Sequence, residues 1–442
     1  MCLTKFNFFS INSFINIQNV VLYRGIYRFY PKGSEYMNVA ILGFGVVGSG
    51  VAEVISQNSE HIKENSNVSL KVTKILDIRD FPDSEFSPLM TKDFNEILSD
   101  DSIDIVCETM GGVNPAFTFV SECLKKGKHV VTSNKELVAT KGFELLEIAR
   151  ENNVNFLFEA SVGGGIPIIR PLSRCLAGNN VNEVAGILNG TSNFILTKMI
   201  VDGMSFDDAL KLAQDKGYAE KDPTADVEGF DALRKICILA SLSFGTHVYP
   251  DGIYTEGISK ITLEDVAYAE SYNSVIKLIA RAKKLSDSKI TVMVTPCLVN
   301  NESMLAGVSG VFNACLVRGD MTGDVLMYGK GAGKLATASA VVGDVIDCAS
   351  NNKERKFFGW ADEKKDFVAS YLENETAFYV RASDADKAEV EKVFGEVQYL
   401  SRENQPENEI AFVTDIMKES EFTNKLSQLN INLIGVIRIS DY

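Results

Sequence analysis

The run Met37-Asn-Val-Ala-Ile-Leu-Gly-Phe-Gly-Val-Val-Gly-Ser-Gly50 admits few local structures. β-Forming residues lead directly into Gly43-x-Gly45-x-x-Gly48, and an apolar helical pattern over 51–55 follows at once. Gly43 permits a tight turn out of the strand, Gly45 lets the backbone approach a pyrophosphate, and Gly48 lets helix pack on strand. A phosphate held in that turn would meet the unpaired N–H groups of the helix N-terminus. Glycine triplets also occur in ordinary tight turns, so the weight lies in the strand–turn–helix order. That order predicts a dinucleotide site walled by Gly43, Phe44, Gly45, Val46, Val47 and Gly48.

The chain goes on alternating strand and helix patterns, as an α/β fold with a Rossmann-type doubly wound parallel sheet requires. Strand patterns at 70–78, 103–108 and 129–133 alternate with glycine turns and a helical run over 115–126. Ligands of such sheets gather at the C-terminal strand ends. That rule turns Thr109, Gly111 and Lys135 toward the cofactor. Asp77 and Arg79 close the second strand pattern. An acid there suits the ribose of NAD and an arginine suits the extra phosphate of NADP, so both cofactors stay open. The two residues read equally as surface termini of a strand.

At 442 residues the chain should hold two or three domains. A net charge of −15 argues against nucleic acid or an anionic membrane as the main partner, since both need basic surface. The eight cysteines are scattered without a Cys-x-x-Cys pair, and His61, His129 and His247 lie far apart. This usage predicts reduced core thiols in a cytoplasmic protein and no zinc site. No apolar run reaches membrane-spanning length.

The chemistry concentrates between Asp215 and Lys235. Six carboxylates (Asp215, Glu220, Asp222, Asp226, Glu228 and Asp231) fall within seventeen positions. Pro223 and Gly229 break the first part into loop, and a helical pattern begins near Asp226, which reads either as a site acid or as the N-cap. Asp231 and Lys235 are i,i+4 neighbours on that helix. Phe230, Leu233, Cys237, Ile238 and Leu242 make it apolar on most sides, hence buried. An arbitrary acid–base pair at this spacing is usually a solvated salt bridge. Acids converging on one lysine at the mouth of a buried helix suit a small cationic substrate and a proton donor.

The pattern Gly-Tyr-Ala-Glu-x-Asp-Pro-Thr-x-Asp-x-x-Gly-x-Asp-x-x-x-Lys, from Gly217 to Lys235, resembles the signature of homoserine dehydrogenases. The resemblance implies NAD(P)-dependent interconversion of L-homoserine and L-aspartate 4-semialdehyde, on the way to threonine and methionine. It implies Lys235 as proton donor, Asp231 as the group orienting it, and Gly217, Glu220, Asp226 and Asp231 around the substrate. The Thr-Ser-Asn-Lys-Glu-Leu run is similar to the family's, where the lysine matching Lys135 assists catalysis and touches the cofactor or the substrate. Ala185-Gly-Ile-Leu-Asn-Gly-Thr-Ser-Asn193 resembles the strand and turn beside the substrate, with Gly190 and Thr191 offering N–H groups. Asn155-Phe-Leu-Phe-Glu-Ala-Ser-Val-Gly-Gly-Gly-Ile-Pro167 is similar to a loop that holds sodium. Its matching positions are Glu159 and the carbonyls of Val162, Gly164 and Ile166; the glycines alone also suffice for a hinge. Tyr328–Ala340 resembles the glycine loop that returns over the cofactor, keeping Gly331 and Gly333 but with Lys330 where proline is common. The family also forms homodimers or larger homo-oligomers through its second domain. Another Rossmann dehydrogenase acting on a different small carbonyl acid, or a non-catalytic cofactor-binding regulator, are the alternatives.

These readings divide the chain. Residues 1–36, with four basic residues and one acid, look like a dispensable, poorly ordered extension. The dinucleotide-binding domain is expected over 37–167 and an α+β substrate and dimerisation domain over 168–320. A return segment follows over 321–350, then a charged linker over 351–367. A strand–helix–strand–strand–helix–strand pattern over 368–442 suggests a small ferredoxin-like module, similar to the regulatory ACT domain. Its Asp-x-Pro-Gly turn is missing, so threonine should inhibit little, and a chain ending near Ser350 should stay active.

Overall fold

A computed structural model describes residues 36–350, 355–362 and 366–442 of the chain. The extension expected over 1–36 lies, up to residue 35, outside the described residues. Strand β1 (Met37–Leu42) is flanked by parallel β2 (Leu70–Leu76) and β4 (Ile105–Glu108). Val39, Ala40, Ile41 and Leu42 are fully buried, which is why this strand reads as an unbroken apolar run rather than an alternation. With β3 (Met90–Thr91), β5 (His129–Thr132) and β6 (Phe156–Leu157), the strand order is β3-β2-β1-β4-β5-β6. That is the doubly wound order expected from the sequence.

Helices α1 (Val46–Gln57), α2 (Ser59–Ser66), α3 (Asn95–Leu98), α4 (Ala116–Lys125) and α5 (Lys135–Glu151) connect these strands. Helix α5 starts at Lys135 because the Asn134 side chain accepts the Leu137 N–H at 3.0 Å.

A second, mixed sheet is built from β7 (Val181–Ile187), β9 (Ser274–Ser286), β10 (Lys289–Asn300), β11 (Phe312–Gly319) and β12 (Gly323–Lys330), with the short β8 (Tyr254–Thr255) beside β10. Helices α6 (Gly190–Asp202), α7 (Phe206–Asp215), α8 (Thr224–Val227), α9 (Phe230–Phe244) and α10 (Leu263–Ser271) accompany it. Helix α11 (Lys334–Ser350) then packs on the first sheet, where Val341, Val342 and Val345 share a core with Val39, Ile41 and Val51.

The last segment contributes β13 (Glu375–Thr376), β14 (Phe378–Ser383), α12 (Lys387–Phe394), β15 (Gln398–Leu400), β16 (Glu409–Val413), β17 (Met417–Lys418), α13 (Glu419–Leu426) and β18 (Asn432–Ile439). Strands β18, β14, β16 and β15 lie in that order, each antiparallel to its neighbour. They do not stand apart. β18 runs parallel to β10 with Cys297 opposite Arg438, so both halves share one sheet, and residues 37–442 form one compact unit.

Two local expectations need correction, and one element was missed. The helix expected from Asp226 is two elements: α8, then α9, separated by Gly229 at φ 83°. Asp226 therefore does not cap α9; Gly229 stands at that position. The charged linker is also no solvated tether over 355–362, because Trp360 is buried and Ala361 bridges to Thr246 in parallel pairing. The long strand β9 was not legible, since Lys277, Arg281 and Lys283 interrupt its apolar pattern.

Candidate active site

Asp231 in the first turn of α9 and Lys235 one turn later share a face, and α5 from the first sheet brings Lys135 to the same place. Lys235 donates to Asp231 Oδ2 at 2.7 Å, and Lys135 pairs with Asp231 Oδ1 at 2.9 Å. One carboxylate thus carries an ammonium on each oxygen. The Lys235 and Asp231 side chains are only 10% and 8% exposed, whereas Lys135 is 42% exposed. Burial works to raise the Asp231 pKa, but Lys235 and Lys135 outweigh it and hold the carboxyl well below the usual carboxylate range. Asp231 in turn raises the Lys135 pKa against its own partial desolvation.

Two of the three Lys235 N–H groups are placed: one on Asp231 and one on the Leu188 carbonyl at 2.7 Å. The third has no acceptor among the described residues and is left for a ligand. Asn189 joins the two acids, its Nδ2 donating to Asp226 Oδ1 at 2.7 Å and Asp231 Oδ2 at 2.9 Å. Its Oδ1 accepts the Ser192 N–H and so caps α6. Burial raises the Asp226 pKa, with the Asn189 contact working the other way. Gly190 opens α6, and the Thr191 hydroxyl donates to the Tyr218 carbonyl at 2.7 Å, tying the loop at Gly217 (φ 72°) to the same corner. Glu220 does not join the cluster. It is exposed, and its backbone carbonyl accepts from Gln214.

At the same C-terminal edge of the first sheet, a side chain on Gly48 would put its Cβ 1.9 Å from the Gly43 carbonyl, so only glycine fits there. The Thr109 hydroxyl donates to that same carbonyl at 2.8 Å and fixes the turn. Val46 is 69% exposed at the first residue of α1, facing the solvent a ligand would displace. Asp77 Oδ2 accepts the Phe44 N–H at 2.7 Å, and Arg79 donates to both Asp77 oxygens at 2.9–3.0 Å. The Arg79 hydrogen bond is the largest influence holding the Asp77 carboxyl near a pKa of about 2. Arg79 also lies over the Phe81 ring, 5.1 Å from its centroid.

This glycine turn and two-lysine carboxylate coincide with what the chain matches among known proteins. A family model described as homoserine dehydrogenase covers residues 167–346, and one for the NAD-binding domain of homoserine dehydrogenase covers 43–159. A homoserine dehydrogenase of Neisseria gonorrhoeae is 43% identical over 315 residues, 71% of this chain and 72% of that protein. The crystal structure of a homoserine dehydrogenase from Thiobacillus denitrificans superposes with a TM-score of 0.85 at 35% identity, covering 92% of this chain and 99% of that one. The chain belongs to the homoserine dehydrogenase family. It is an NAD(P)-binding oxidoreductase. A hyperthermophilic archaeal homoserine dehydrogenase mutant in complex with NADPH is also similar, with a TM-score of 0.61 at 30% identity over 72% of this chain and 98% of that one.

The loop that resembles the family's sodium loop is shaped by Glu159, though not as a free ligand. Its Oε1 accepts the N–H groups of Ile168 (2.7 Å) and Ile169 (2.8 Å), and its Oε2 accepts that of Arg170 (2.8 Å). The carboxylate expected to face a cation is therefore a backbone clasp. The carbonyls of Val162, Gly164 and Ile166 accept no hydrogen bond among the described residues, whereas the Gly163 carbonyl accepts from Ile166. Gly333 is exposed just before α11, and Gly165 N–H donates to the Lys330 carbonyl, so the return loop lies against the 162–166 loop.

Sequence reasoning missed Asn189 and Glu108. Asn189 sits within a recognisable turn, yet nothing local says that it spans two acids. Glu108 ends β4 in the apolar run Ile-Val-Cys-Glu, and an acid there was the available signal. Its carboxylate accepts the Thr132 hydroxyl at 2.5 Å and the Met110 N–H at 2.8 Å, shaping the turn that carries Thr109. Burial raises its pKa against those hydrogen bonds.

Proposed function

We propose that this chain interconverts L-homoserine and L-aspartate 4-semialdehyde with NAD(P), in threonine and methionine biosynthesis. The observation that carries the reading is the single carboxylate of Asp231 held between Lys235 and Lys135, at the seam of a dinucleotide sheet and a second domain. A bound reduced nicotinamide supplies hydride to the aldehyde carbon. Lys235 then protonates the developing alkoxide through its third N–H, while Asp231 and the Leu188 carbonyl fix its direction. Back-reaction from homoserine runs through the same groups. Lys135, more exposed, assists at the cofactor side of the same carboxylate. Asp226 and Asp231, with the N–H groups of Gly190 and Thr191 and the Gly217 turn, bind the amino-acid end, and Glu220, exposed outside that cluster, meets the substrate's ammonium from the solvent side.

Gly43, Phe44, Gly45, Val46, Val47, Gly48 and Thr109 line the cofactor turn, and Gly333 flanks it. The Asp77–Arg79 pair offers an acid for ribose hydroxyls and a partly exposed guanidinium for a 2′-phosphate, so the pair suits NAD or NADP. A sodium ion would rest on the carbonyls of Val162, Gly164 and Ile166. Hard oxygen donors suit it, and no group of three or more His, Cys, Asp or Glu side chains competes for a metal among the described residues. Glu159 shapes that loop. The working unit is a homodimer or larger homo-oligomer formed through the mixed sheet, whose edge strand β12 pairs on one side only. Residues 368–442 act as an ACT-like module without an amino-acid grip, because Ser383-Asp-Ala-Asp386 enters α12 with neither proline nor glycine.

The deciding experiment follows reduced-nicotinamide absorbance with homoserine, run separately with NAD and NADP. Turnover with either cofactor supports the reading. Turnover only with another hydroxy acid, or cofactor binding without turnover, would overturn it.

A further inference from the structure

Lys135 and Asp231 come from different layers of the fold, so their contact depends on how α5 sits against α9. A second junction between these helices lies away from the reacting groups. His247 follows the C-terminal cap of α9, and its Nε2 bonds the Ala139 carbonyl, one turn into α5, at 3.1 Å. Its Nδ1 accepts the indole N–H of Trp360 at 2.9 Å. These partners fix the tautomer: Nδ1 must be the acceptor, so Nε2 carries the proton and donates to Ala139. Trp360 belongs to the strap 355–362, which docks on the end of α9. His247 N–H donates to the Ala361 carbonyl at 3.0 Å, and Ala361 N–H donates to the Gly245 carbonyl at 3.1 Å.

The sequence of α5 bears the imprint of this junction. Gly142 lies inside the helix, where glycine weakens helical structure relative to alanine. A Cβ at that position would stand 3.2 Å from the Trp360 ring. The helix thus gives up propensity where the indole seats. Trp360 is also the only tryptophan in the chain, so its fluorescence reports on this contact alone.

We propose that His247 and Trp360 are positioning residues, an interhelical clasp that sets α5 against α9 so that Lys135 reaches Asp231. The inference rests on the roles assigned above to Lys135, Asp231 and Lys235. Placement errors of about 1 Å cost up to roughly a hundredfold in rate, so loosening the clasp should act on kcat.

The test compares His247→Leu, His247→Gln and Trp360→Phe in the full chain, at temperatures where each is folded. Glutamine can still accept from Trp360 and donate to Ala139, and leucine can do neither. His247→Leu and Trp360→Phe should lower kcat at least about tenfold, with KM for the cofactor within twofold of wild type. His247→Gln should recover most of the loss. Gly142→Ala covers the case in which His247→Leu does not fold. Helix propensity alone would make it more stable at unchanged kcat, whereas a working clasp gives lower kcat with a shifted Trp360 emission. Wild-type kcat in folded His247→Leu, or a stabilised and fully active Gly142→Ala, would overturn the proposal. Failure of the underlying roles shows separately, as full activity in Lys135→Met and Lys235→Met with the clasp intact.

Discussion

Lys235→Met is the substitution that most sharply tests the chemistry. Methionine keeps an unbranched side chain of similar length and removes the ammonium. Losing a positioned general acid costs about 10²–10⁴ in kcat, or roughly 3–5 kcal/mol of barrier. The structural cost can be set beside it. Removing one partner of a buried ion pair costs about 3–5 kcal/mol when the other charge is stranded. Asp231 is not stranded here, because Lys135 remains on Oδ1 at 2.9 Å and Asn189 on Oδ2 at 2.9 Å. The Leu188 carbonyl does lose its donor. A stability loss of about 3 kcal/mol or less is therefore expected, at the bottom of that range.

The assay is initial-rate absorbance in both directions, with cofactor affinity from reduced-nicotinamide fluorescence and folding from a thermal midpoint. Lys235→Met should lose kcat by two to four orders of magnitude with cofactor affinity nearly unchanged. Lys135→Met should lose less in kcat and more in cofactor affinity, since that side chain stands 42% exposed at the cofactor side. Wild-type turnover in folded Lys235→Met would refute the donor role. A larger kcat loss from Lys135→Met would transfer the role to Lys135.

Further outcomes follow from the same geometry. Glu220→Gln should raise KM for homoserine more than it lowers kcat; an unchanged homoserine KM with a raised cofactor KM would remove Glu220 from the substrate site. Arg79→Ala should raise KM for NADP and leave KM for NAD nearly unchanged, because Asp77 keeps its Phe44 N–H; equal effects on both cofactors would show that Arg79 does not meet the phosphate. Burial lowers the His247 pKa from 6.5 to about 4, against the Ala139 bond and the acids Asp362 and Glu144. The unfolded chain then takes up a proton that the folded chain refuses, so acidification from pH 7 to pH 5 should cost about 2 kcal/mol that His247→Gln does not lose; identical pH dependence of the denaturation midpoint in the two proteins would contradict this. A chain ending at Ser350 should not accumulate in folded form, and a soluble, active fragment would show that the C-terminal strands are dispensable.

What the sequence made legible was what neighbouring residues enforce. The Gly43–Gly48 turn could be read because its constraint is a backbone clash within six residues, and Asp231–Lys235 because one helical turn aligns them. The Lys135 contact to Asp231 spans 96 positions, 135 to 231, and no periodicity reports it. β9 hid for a related reason. Arg281 breaks its apolar pattern, yet in the fold it meets Glu183 on the neighbouring strand at 2.6 Å, so a residue that looks solvated is buried. The strap carrying Trp360 was masked by charged neighbours, although a lone tryptophan in a polar run was a hint. Glu159 was read as a ligand from resemblance alone, and only the fold reveals three N–H groups already on its carboxylate.

The C-terminal strands reverse an expectation on energetic grounds. β18 continues the catalytic sheet, and Arg438 on it donates to Glu419 at 2.6 and 2.8 Å and to Glu256 at 2.8 Å. Glu256 N–H holds the Val294 carbonyl, and two residues on, Ile258 N–H holds that of Val227, the residue after Asp226. A second junction is buried as well. Arg381 pairs with Glu409 at 2.9 Å and Asp265 at 3.4 Å, Tyr379 donates to Asp265, and the fully buried Tyr268 donates to Glu409. Deleting the segment would instead strip Tyr379, Val413 and Ile437 from the core they share with Leu278, Val292 and Leu298, at about 1.5–3 kcal/mol for each buried side chain, against a typical total stability of about 5–15 kcal/mol. A segment wired this way behaves as part of the scaffold. A sensor needs two packings of similar free energy between which a ligand can choose. A continuous sheet with saturated ion pairs at its seam offers one, and the entry into α12 through Ser383–Asp386 has neither proline nor glycine to form a gripping turn.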